Sequence, residues 1–471
     1  MSSPFNEEKY KQLLEGLEIS EVMFSEAVSI TGQRRLDSEY YLKKYVHTDI
    51  TLKRRKTLQF NDYCNFIKKG IFDISPENYK DVGIPFIRTS EIKNPCVDFS
   101  TTVFLDQKVH LENYKTTLKP NDLVFTKIGA YIGDVAMLPS YYSEYNFSQN
   151  VAGASLKDKT NGPYILAFFL SQLGKSQILR SAMLSGQGKL ELDDIRNYRI
   201  PSVRTEFKQK VADIFIRREV IVKKSKTLYA SAEEIFLEEL GLKDWLPNNN
   251  PINIKQLKES FIASGRLDAE YYQQKYDELF SKLSKYECDT LIHIANTKKS
   301  VEPGSEAYQD RGIPFVRVSD LTKFGISEPK IFLSPNDFDL NDLQPKKDTI
   351  LLSKDGSVGI AYKVEEDMDC ITSGALLHLS VFNKDYTPDY LTLVLNSIVV
   401  QMQAERDSNG AIIQHWKPSE IEQVIIPKLP KPIQETISAK IQESFALKVE
   451  SKRLLDEAKM MVEKEIEKGG E

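Results

Sequence analysis

Hydrophobic and polar residues follow two different rhythms along the chain. Short apolar runs such as IPFIRTS, DLVFTKI, IPFVRVS and TILLSK are rich in β-branched and aromatic residues and are bounded by Gly, Pro, Asn and Asp. Such runs are typical of β-strands. Longer apolar segments that begin at Pro163 and Pro388 predict a helix after each group of strands. The pattern therefore predicts compact α+β domains.

Two other stretches, Thr205 to Leu240 and Ile433 to Lys468, contain neither Gly nor Pro and are dense in Glu, Lys, Ala and Leu. These residues favour helix, and the apolar positions recur at alternating spacings of four and three, as in a heptad pattern. The apolar stripes are Phe207, Val211, Ile214, Ile221, Leu228, Ala232 and Ile235 in the first stretch, and Ile433, Ile437, Leu447, Leu454, Ala458 and Met461 in the second, where Lys440 is off-pattern.

A helix of about 36 residues is about 54 Å long, and helices of this length need a partner surface to be stable. We therefore predict that the two helices pair as an antiparallel coiled coil. The alternative is that each stripe packs only on its own domain. The predicted interface residues are Val211, Ile214, Ile221, Leu228, Ile235, Ile437, Leu447, Leu454 and Met461.

The whole pattern occurs twice. Similar segments return in the same order at offsets of 225 to 231 residues. The pairs are RLDSEYY from Arg35 and RLDAEYY from Arg266, GIPFIRTSEI from Gly83 and GIPFVRVSDL from Gly312, LKPNDLVF from Leu118 and LQPKKDTI from Leu343, and IRNYRIPSV from Ile195 and IEQVIIPKL from Ile421. The chain is thus an internal duplication in which each copy is a whole domain followed by a long helix.

Composition narrows the class of protein. The chain has 471 residues, 41% of them hydrophobic, and a net charge of −5, which is typical of a globular protein with two or three domains. No apolar run is long enough to cross a membrane, and the N-terminus has no signal core. The four cysteines are widely scattered, so we expect neither disulfides nor a zinc site, and a cytoplasmic location.

The motifs of nucleotide and metal enzymes are missing. The sequence has no GxxxxGK[ST] loop, no HExxH and no N/D-P-P-Y tetrad. The glycine-bearing KIGAYIG from Lys127 and KDGSVG from Lys354 predict strand-ending turns. We therefore expect no catalytic residues, no metal and no cofactor.

Several basic residues are candidates for DNA binding. Lys127 and Lys354 precede the two glycine turns, where an ammonium reaches a phosphate, and Arg88 and Arg317 follow equivalent IPF strands. A residue that both copies keep is as easily explained by a role in the fold. Residues that read different base sequences should differ between copies. The divergent segments supply four more candidates, Lys108, Lys115, Lys323 and Lys330.

The doubled GIPFIR and GIPFVR strands, the LKPNDLVF step with its glycine turn, GQGKLELDDIRNYRIP and the long helix after each domain resemble the specificity subunit of type I restriction–modification enzymes. The resemblance implies two target recognition domains, each reading half of a split, asymmetric site in double-stranded DNA. It also implies an antiparallel coiled coil that sets the gap. The subunit would be non-catalytic, and its partners would be two copies of an adenine-specific DNA methyltransferase subunit and a restriction and translocase subunit.

The resemblance leads to six segments. They are an N-terminal leader (1–34), target recognition domain 1 (35–202), a central coiled-coil helix (203–242), a linker (243–265), target recognition domain 2 (266–428) and a C-terminal coiled-coil helix (429–471). Two alternatives remain open: a recognition subunit of a two-subunit type IIB-like enzyme, and a coiled-coil protein-interaction scaffold without DNA contact. The modest acidity fits a subunit that relies on partners for part of its grip on DNA.

Overall fold

The computed structural model describes residues 6–25, 37–129, 131–182, 188–248, 250, 252–408, 410 and 414–469. The chain forms two compact units: unit 1 comprises Met1–Val220 and Glu450–Glu471, and unit 2 comprises Ile221–Val449. The strands are β1 Thr57–Gln59, β2 Cys64–Lys69, β3 Tyr79–Lys80, β4 Ile84–Ile87, β5 Ile92–Lys93, β6 Cys96–Val97, β7 Val103–Leu105, β8 Leu123–Thr126, β9 Val135–Met137, β10 Asn146–Phe147, β11 Val151–Leu156, β12 Arg199–Pro201, β13 Cys288–Thr290, β14 Ala295–Lys299, β15 Ile313–Val316, β16 Leu321–Thr322, β17 Gly325–Ile326, β18 Phe332–Leu333, β19 Ile350–Ser353, β20 Ala361–Lys363, β21 Ile371–Thr372, β22 Leu376–Val381 and β23 Ile425–Pro427.

The α-helices of the described residues are α1 Glu7–Leu14, α2 Lys43–Lys53, α3 Gln107–Glu112, α4 Gly162–Leu170, α5 Gln172–Ala182, α6 Leu192–Asn197, α7 Thr205–Glu239, α8 Phe261–Ser264, α9 Gln274–Leu283, α10 Leu340–Leu343, α11 Pro388–Asn396, α12 Ile398–Asp407, α13 Pro418–Ile421 and α14 Lys431–Lys468. The two longest, α7 and α14, cover the glycine- and proline-free stretches of the sequence, α14 starting two residues earlier with Pro432 in its first turn, and each contributes residues to both units. This mixture of strands and helices confirms the α+β class.

Unit 1 is organised around a four-stranded antiparallel sheet in the order β2-β11-β8-β9. A second sheet has the order β10-β4-β7-β3, and β1 pairs with β12. All four residues of β8 are buried, as is nearly all of α4, so their apolar runs form the core. Phe60, Phe125 and Phe169 meet there with ring centroids 5.1 to 5.7 Å apart.

Unit 2 repeats this topology. Its main sheet has the order β14-β22-β19-β20, its second sheet the order β18-β15-β21, and β13 pairs with β23. Equivalent tyrosines fasten the short closing strands in the two copies: Tyr164 Oη donates to Pro201 O at 2.6 Å, and Tyr390 Oη donates to Pro427 O at 2.8 Å. The two copies inferred from the sequence therefore share a sheet order and equivalent hydrogen bonds.

The long helices pack against each other within unit 2. Ser225 Oγ donates to Ser444 O at 2.9 Å, and Ser444 Oγ donates to Ser225 O at 2.8 Å. Further along α7, Tyr229 lines a small cavity together with Ile441. Residues later in α7 contact residues earlier in α14, so the two helices run antiparallel. This confirms the predicted arrangement. The small serines allow the close approach.

The nine predicted interface residues differ in burial. Val211, Ile214, Ile437 and Leu454 are buried, whereas Ile221, Leu228, Ile235, Leu447 and Met461 are half-buried. The adjacent Tyr229, Phe236 and Val462 are buried instead of Leu228, Ile235 and Met461. A straight helix of 3.6 residues per turn drifts relative to a strict seven-residue repeat, which moves the buried face one position along the chain.

Candidate nucleic-acid interface

Each copy carries a glycine turn at the end of a buried central strand. The first turn, from Lys127 to Gly133, follows β8, and the second, from Lys354 to Gly359, follows β19. The backbone hydrogen bonds correspond pairwise: Lys127 N to Asn150 O (2.9 Å) and Leu190 N to Lys127 O (2.9 Å) in unit 1, and Lys354 N to Ala375 O (2.9 Å) and Trp416 N to Lys354 O (2.8 Å) in unit 2. The closing glycines have φ of +89° and +83°, a conformation that favours glycine. The predicted turns are thus confirmed.

Positive charge collects at the first turn. Lys127 is 8% exposed, and Lys189 lies on the segment whose backbone bridges to Ile128. Burial lowers the pKa of Lys127, and the charges of Lys189 and Lys69 lower it further, partly opposed by Glu191. In the described part of unit 1 the Lys127 ammonium forms no ion pair. We call Lys69, Lys127 and Lys189 the first turn site.

Lys189 and Lys69 have limited partners among the described residues. The Lys189 ammonium lies 2.7 Å from Glu191, and both side chains are about half exposed. Lys69 lies with its ammonium 5.7 Å from the centroid of the exposed Phe72 ring. A surface ion pair of this kind is weak and screened. Lys69 and the half-exposed Lys189 are therefore the accessible cations beside the buried Lys127, and anions such as phosphates are suitable ligands for them.

The equivalent residues of the second copy are largely neutralised. They are Lys299, Lys354 and His415, which we call the second turn site, and two carboxylates accompany them. Asp355 forms an ion pair with Lys354 and accepts from His415 Nδ1 at 2.8 Å. The Lys299 ammonium lies 3.2 Å from Glu302. Asp355 stands at the position of Ile128 in the first copy.

Arg88 and Arg317 diverge although their strands match. Arg88 donates from Nε and Nη2 to the two carboxylate oxygens of Glu91, at 3.2 and 2.8 Å, and from Nη2 to Thr101 O at 2.8 Å. The bonds to Glu91 raise the pKa of Arg88, so this guanidinium is committed to the fold. Arg317 lies 3.9 Å from Asp320 with 42% of its side chain exposed, so it is the more accessible of the two.

The divergent segments contribute exposed and packed lysines. Lys108, Lys115 and Lys330 are exposed. Lys323 instead contacts α7: its ammonium lies 3.6 Å from Glu233 and 4.9 Å from the centroid of the Tyr229 ring. Lys323 therefore has a packing role within unit 2, which sequence alone does not reveal.

The repeated RLDxEYY segment contacts an arginine in its own copy. The Arg180 guanidinium lies 3.9 Å from the Tyr40 ring centroid, and that of Arg406 lies 5.0 Å from Tyr271. Arg180 and Arg406 are 226 residues apart, on α5 and α12. Within the second segment Arg266 and Asp268 form an ion pair at 2.5 Å, while Arg35 of the first lies outside the described residues. The segment thus fastens the start of each copy to a late helix.

Sequence reasoning missed Lys69, Lys189, Asp355 and His415. Aligning the two copies pairs Lys189 with His415 at an offset of 226 residues and Ile128 with Asp355 at an offset of 227, and that alignment is the signal that would have found these positions. Within the described residues, no group of three or more His, Cys, Asp or Glu is placed to hold a metal ion. No helix there is both long and apolar enough to cross a bilayer.

Residues 54–224 match the family model of the type I restriction modification DNA specificity domain, a span that includes the first turn and most of unit 1's strands. This part of the chain is therefore similar to the type I specificity domain. No curated protein sequence matches the chain.

Solved structures give distant similarities. The S subunit of a type I restriction–modification system from M. genitalium is 14% identical, with a TM-score of 0.39 over 87% of this chain and 95% of that one. The HsdS subunit from Thermoanaerobacter tengcongensis is 13% identical, with a TM-score of 0.28 over 88% and 96%. A chain from a structure on assembly and conformational transition of the type I R-M system is 13% identical, with a TM-score of 0.29 over 87% and 97%. The specificity assignment depends on the family model.

Proposed function

We propose that the chain is the non-catalytic DNA-recognition subunit of a type I restriction–modification complex, in which each copy reads one half of a bipartite asymmetric site. The observation that carries the proposal is the match between the copies. The specificity domain covers the first copy, and the second repeats its sheet order and the hydrogen bonds of its turn. Two homologous domains with the same backbone fold and different side chains are suited to a bipartite site whose two halves have different base sequences.

Within each copy, different residues have different tasks. The first turn site, together with exposed Lys108 and Lys115, supplies cations for phosphates, which fix position without reading sequence. In the second copy, Arg317 and Lys330 are the exposed basic candidates. Arg317 is suited to a guanine edge, because a guanidinium pairs bidentately with O6 and N7. The unlike charges around the two glycine turns support different half-sites.

The long helices and the partners complete the proposal. The paired helices set the spacer between the half-sites. Methylation and cleavage belong to other subunits: two copies of an adenine-specific methyltransferase subunit, and a restriction and translocase subunit. The four cysteines are free in the described chain, which suits a cytoplasmic protein.

The test is a binding experiment on the assembled protein. The full chain is purified with its methyltransferase partner, and binding is measured over a library of duplexes with two variable half-sites and a variable spacer. We expect a preferred pair of half-sites, one preferred spacer and a steep loss of affinity with salt. Binding without any sequence preference would refute the proposal. A protein scaffold without DNA contact would show no DNA binding at all.

The proposal that the long helices set the spacer can be tested separately. Inserting residues into α7 near Leu228 and into α14 near Leu454 is expected to change the preferred spacer and leave the half-sites unchanged. A changed half-site with an unchanged spacer would contradict the role of the helices. A single partner that carries both cleavage and methylation would favour the type IIB-like alternative.

A further inference from the structure

The two turn sites share a backbone and differ in one carboxylate. Asp355 occupies the position of Ile128, directly after the lysine whose carbonyl accepts from the bridging segment. One of its oxygens pairs with the Lys354 ammonium, and the other accepts a hydrogen bond from His415 Nδ1. In the first copy the equivalent basic residues are Lys127 and Lys189. The apolar Ile128 stands at the position of Asp355 and forms a backbone bridge to Lys189.

A carboxylate paired with the Lys354 ammonium takes the place that a phosphate oxygen would take. The side chains of Lys354 and Asp355 are only 11% and 20% exposed. An incoming phosphate must therefore break a largely buried ion pair and leave Asp355 without its partner, which is unfavourable. At the first turn site no such pair has to be broken, because Lys127 forms none in the described part of unit 1.

We propose that Asp355 is an internal counter-anion that keeps the second turn site from binding a DNA phosphate, so that the first turn site carries the larger share of ionic contact. The inference rests on the proposed function, because it concerns how the two copies share the ionic contacts with DNA. It predicts that the charge at one position of the turn, and not the turn's backbone, decides whether a copy contributes to salt-dependent binding.

Reciprocal substitutions test the inference. Asp355→Asn removes the negative charge with little change of shape, and Ile128→Asp introduces one at the equivalent half-buried position. Each phosphate contact contributes a slope of about 0.9 in the dependence of log affinity on log salt. We therefore expect Asp355→Asn to steepen the slope by about 0.9 and raise affinity about tenfold at low salt. Ile128→Asp is expected to flatten the slope and weaken binding by the same amounts.

The measurement is fluorescence anisotropy of the full chain with a labelled non-specific duplex, between about 50 and 200 mM KCl. Glu366→Gln removes the same charge from another exposed position of unit 2, and it should leave the slope nearly unchanged. If the wild type binds with a clear slope and neither variant alters it beyond the control, the inference is overturned and the proposed function stands. A wild-type chain that does not bind DNA even when purified with its methyltransferase partner refutes the proposed function itself.

Discussion

The two glycine turns have the same backbone but opposite electrostatic character. Lys127 and Lys354 have matching backbone hydrogen bonds and equal burial. The first nevertheless forms no ion pair among the described residues of unit 1, whereas the second is paired with Asp355. Backbone groups at the end of a buried strand must be paired, which constrains them strongly. Half-exposed side chains beside them carry no such constraint, so duplication keeps the turn and lets its charge change.

The starts of the two copies differ in a similar way. Arg180 is largely buried and forms a 2.5 Å ion pair with Asp49, besides donating to Tyr40 O at 2.9 Å. Arg406 stacks on Tyr271 and pairs with its neighbour Asp407 at 2.7 Å. The Arg406 guanidinium also lies 4.5 Å from the Phe280 ring centroid. The same arginine position is therefore held by an ion pair to another helix in the first copy, and by two aromatic rings and the adjacent Asp407 in the second.

The largest effect on stability is expected at the buried residues of the two segments that form backbone bridges to the glycine turns. Leu190 and Trp416 are equivalent, fully buried, and donate to the carbonyl of the turn lysine. Trp416→Ala should destabilise the protein by about 3–5 kcal/mol and Leu190→Ala by about 2–5 kcal/mol, because each leaves a cavity. Urea unfolding followed by far-ultraviolet circular dichroism measures this. Leu246→Ala, at an exposed position, should stay within about 0.5 kcal/mol of the wild type. Equal stability of all three variants would contradict the anchoring role.

The second comparison concerns the two arginines. Arg180→Ala is expected to cost about 2 kcal/mol, because it removes charge-assisted bonds and leaves Asp49 unpaired. Arg406→Ala should cost about 1 kcal/mol, mainly the lost stacking on Tyr271 and Phe280. Thermal unfolding midpoints of the two variants give the order. A larger loss for Arg406→Ala would reverse the comparison drawn above.

Much of this architecture is predictable from the sequence, and the charges at the turns are not. The duplication predicted two domains of one topology, and the strands DLVF and TILL predicted β8 and β19, because apolar runs between turn residues have few alternatives. Lys354 pairs with the adjacent Asp355, but the contact of Asp355 with His415 joins positions far apart in the chain. Which face of α7 is buried depends on the difference between 3.5 and 3.6 residues per turn. A heptad pattern read from one sequence does not show this difference.

The third prediction addresses DNA binding at the turns. Lys127→Gln should weaken binding of the non-specific duplex about tenfold at low salt and flatten the salt slope by about 0.9, because one phosphate contact is lost. Lys354→Gln should change affinity less than about twofold, since Asp355 already neutralises that lysine. Anisotropy titrations at several salt concentrations measure both. An equal loss in the two variants would show that the turns act alike.

The smallest effect is expected at a pair of long-helix positions, Val222 and Lys448, which are equivalent in the two copies. The Lys448 ammonium lies 3.0 Å from the centroid of the Phe324 ring. Burial, followed by the charges of Lys323 and Lys226, lowers its pKa to about 7. Below that pH both the folded and the unfolded chain carry the proton, and the folded state bears an unfavourable buried charge. Between about pH 7 and the free lysine value of about 10.4 only the unfolded chain keeps the proton, so stability rises with pH.

Lys448→Met removes this charge. The variant should be more stable than the wild type by about 1 kcal/mol at about pH 6, a modest value because the side chain is partly exposed and solvent screens it. The difference should shrink as the pH is raised towards about 10, where the wild-type lysine is neutral in the folded state. Val222→Met is the matched control, and its effect should not depend on pH. Urea unfolding across this range decides the matter: a stability difference that is constant with pH would mean that Lys448 stays fully charged against its aromatic neighbour.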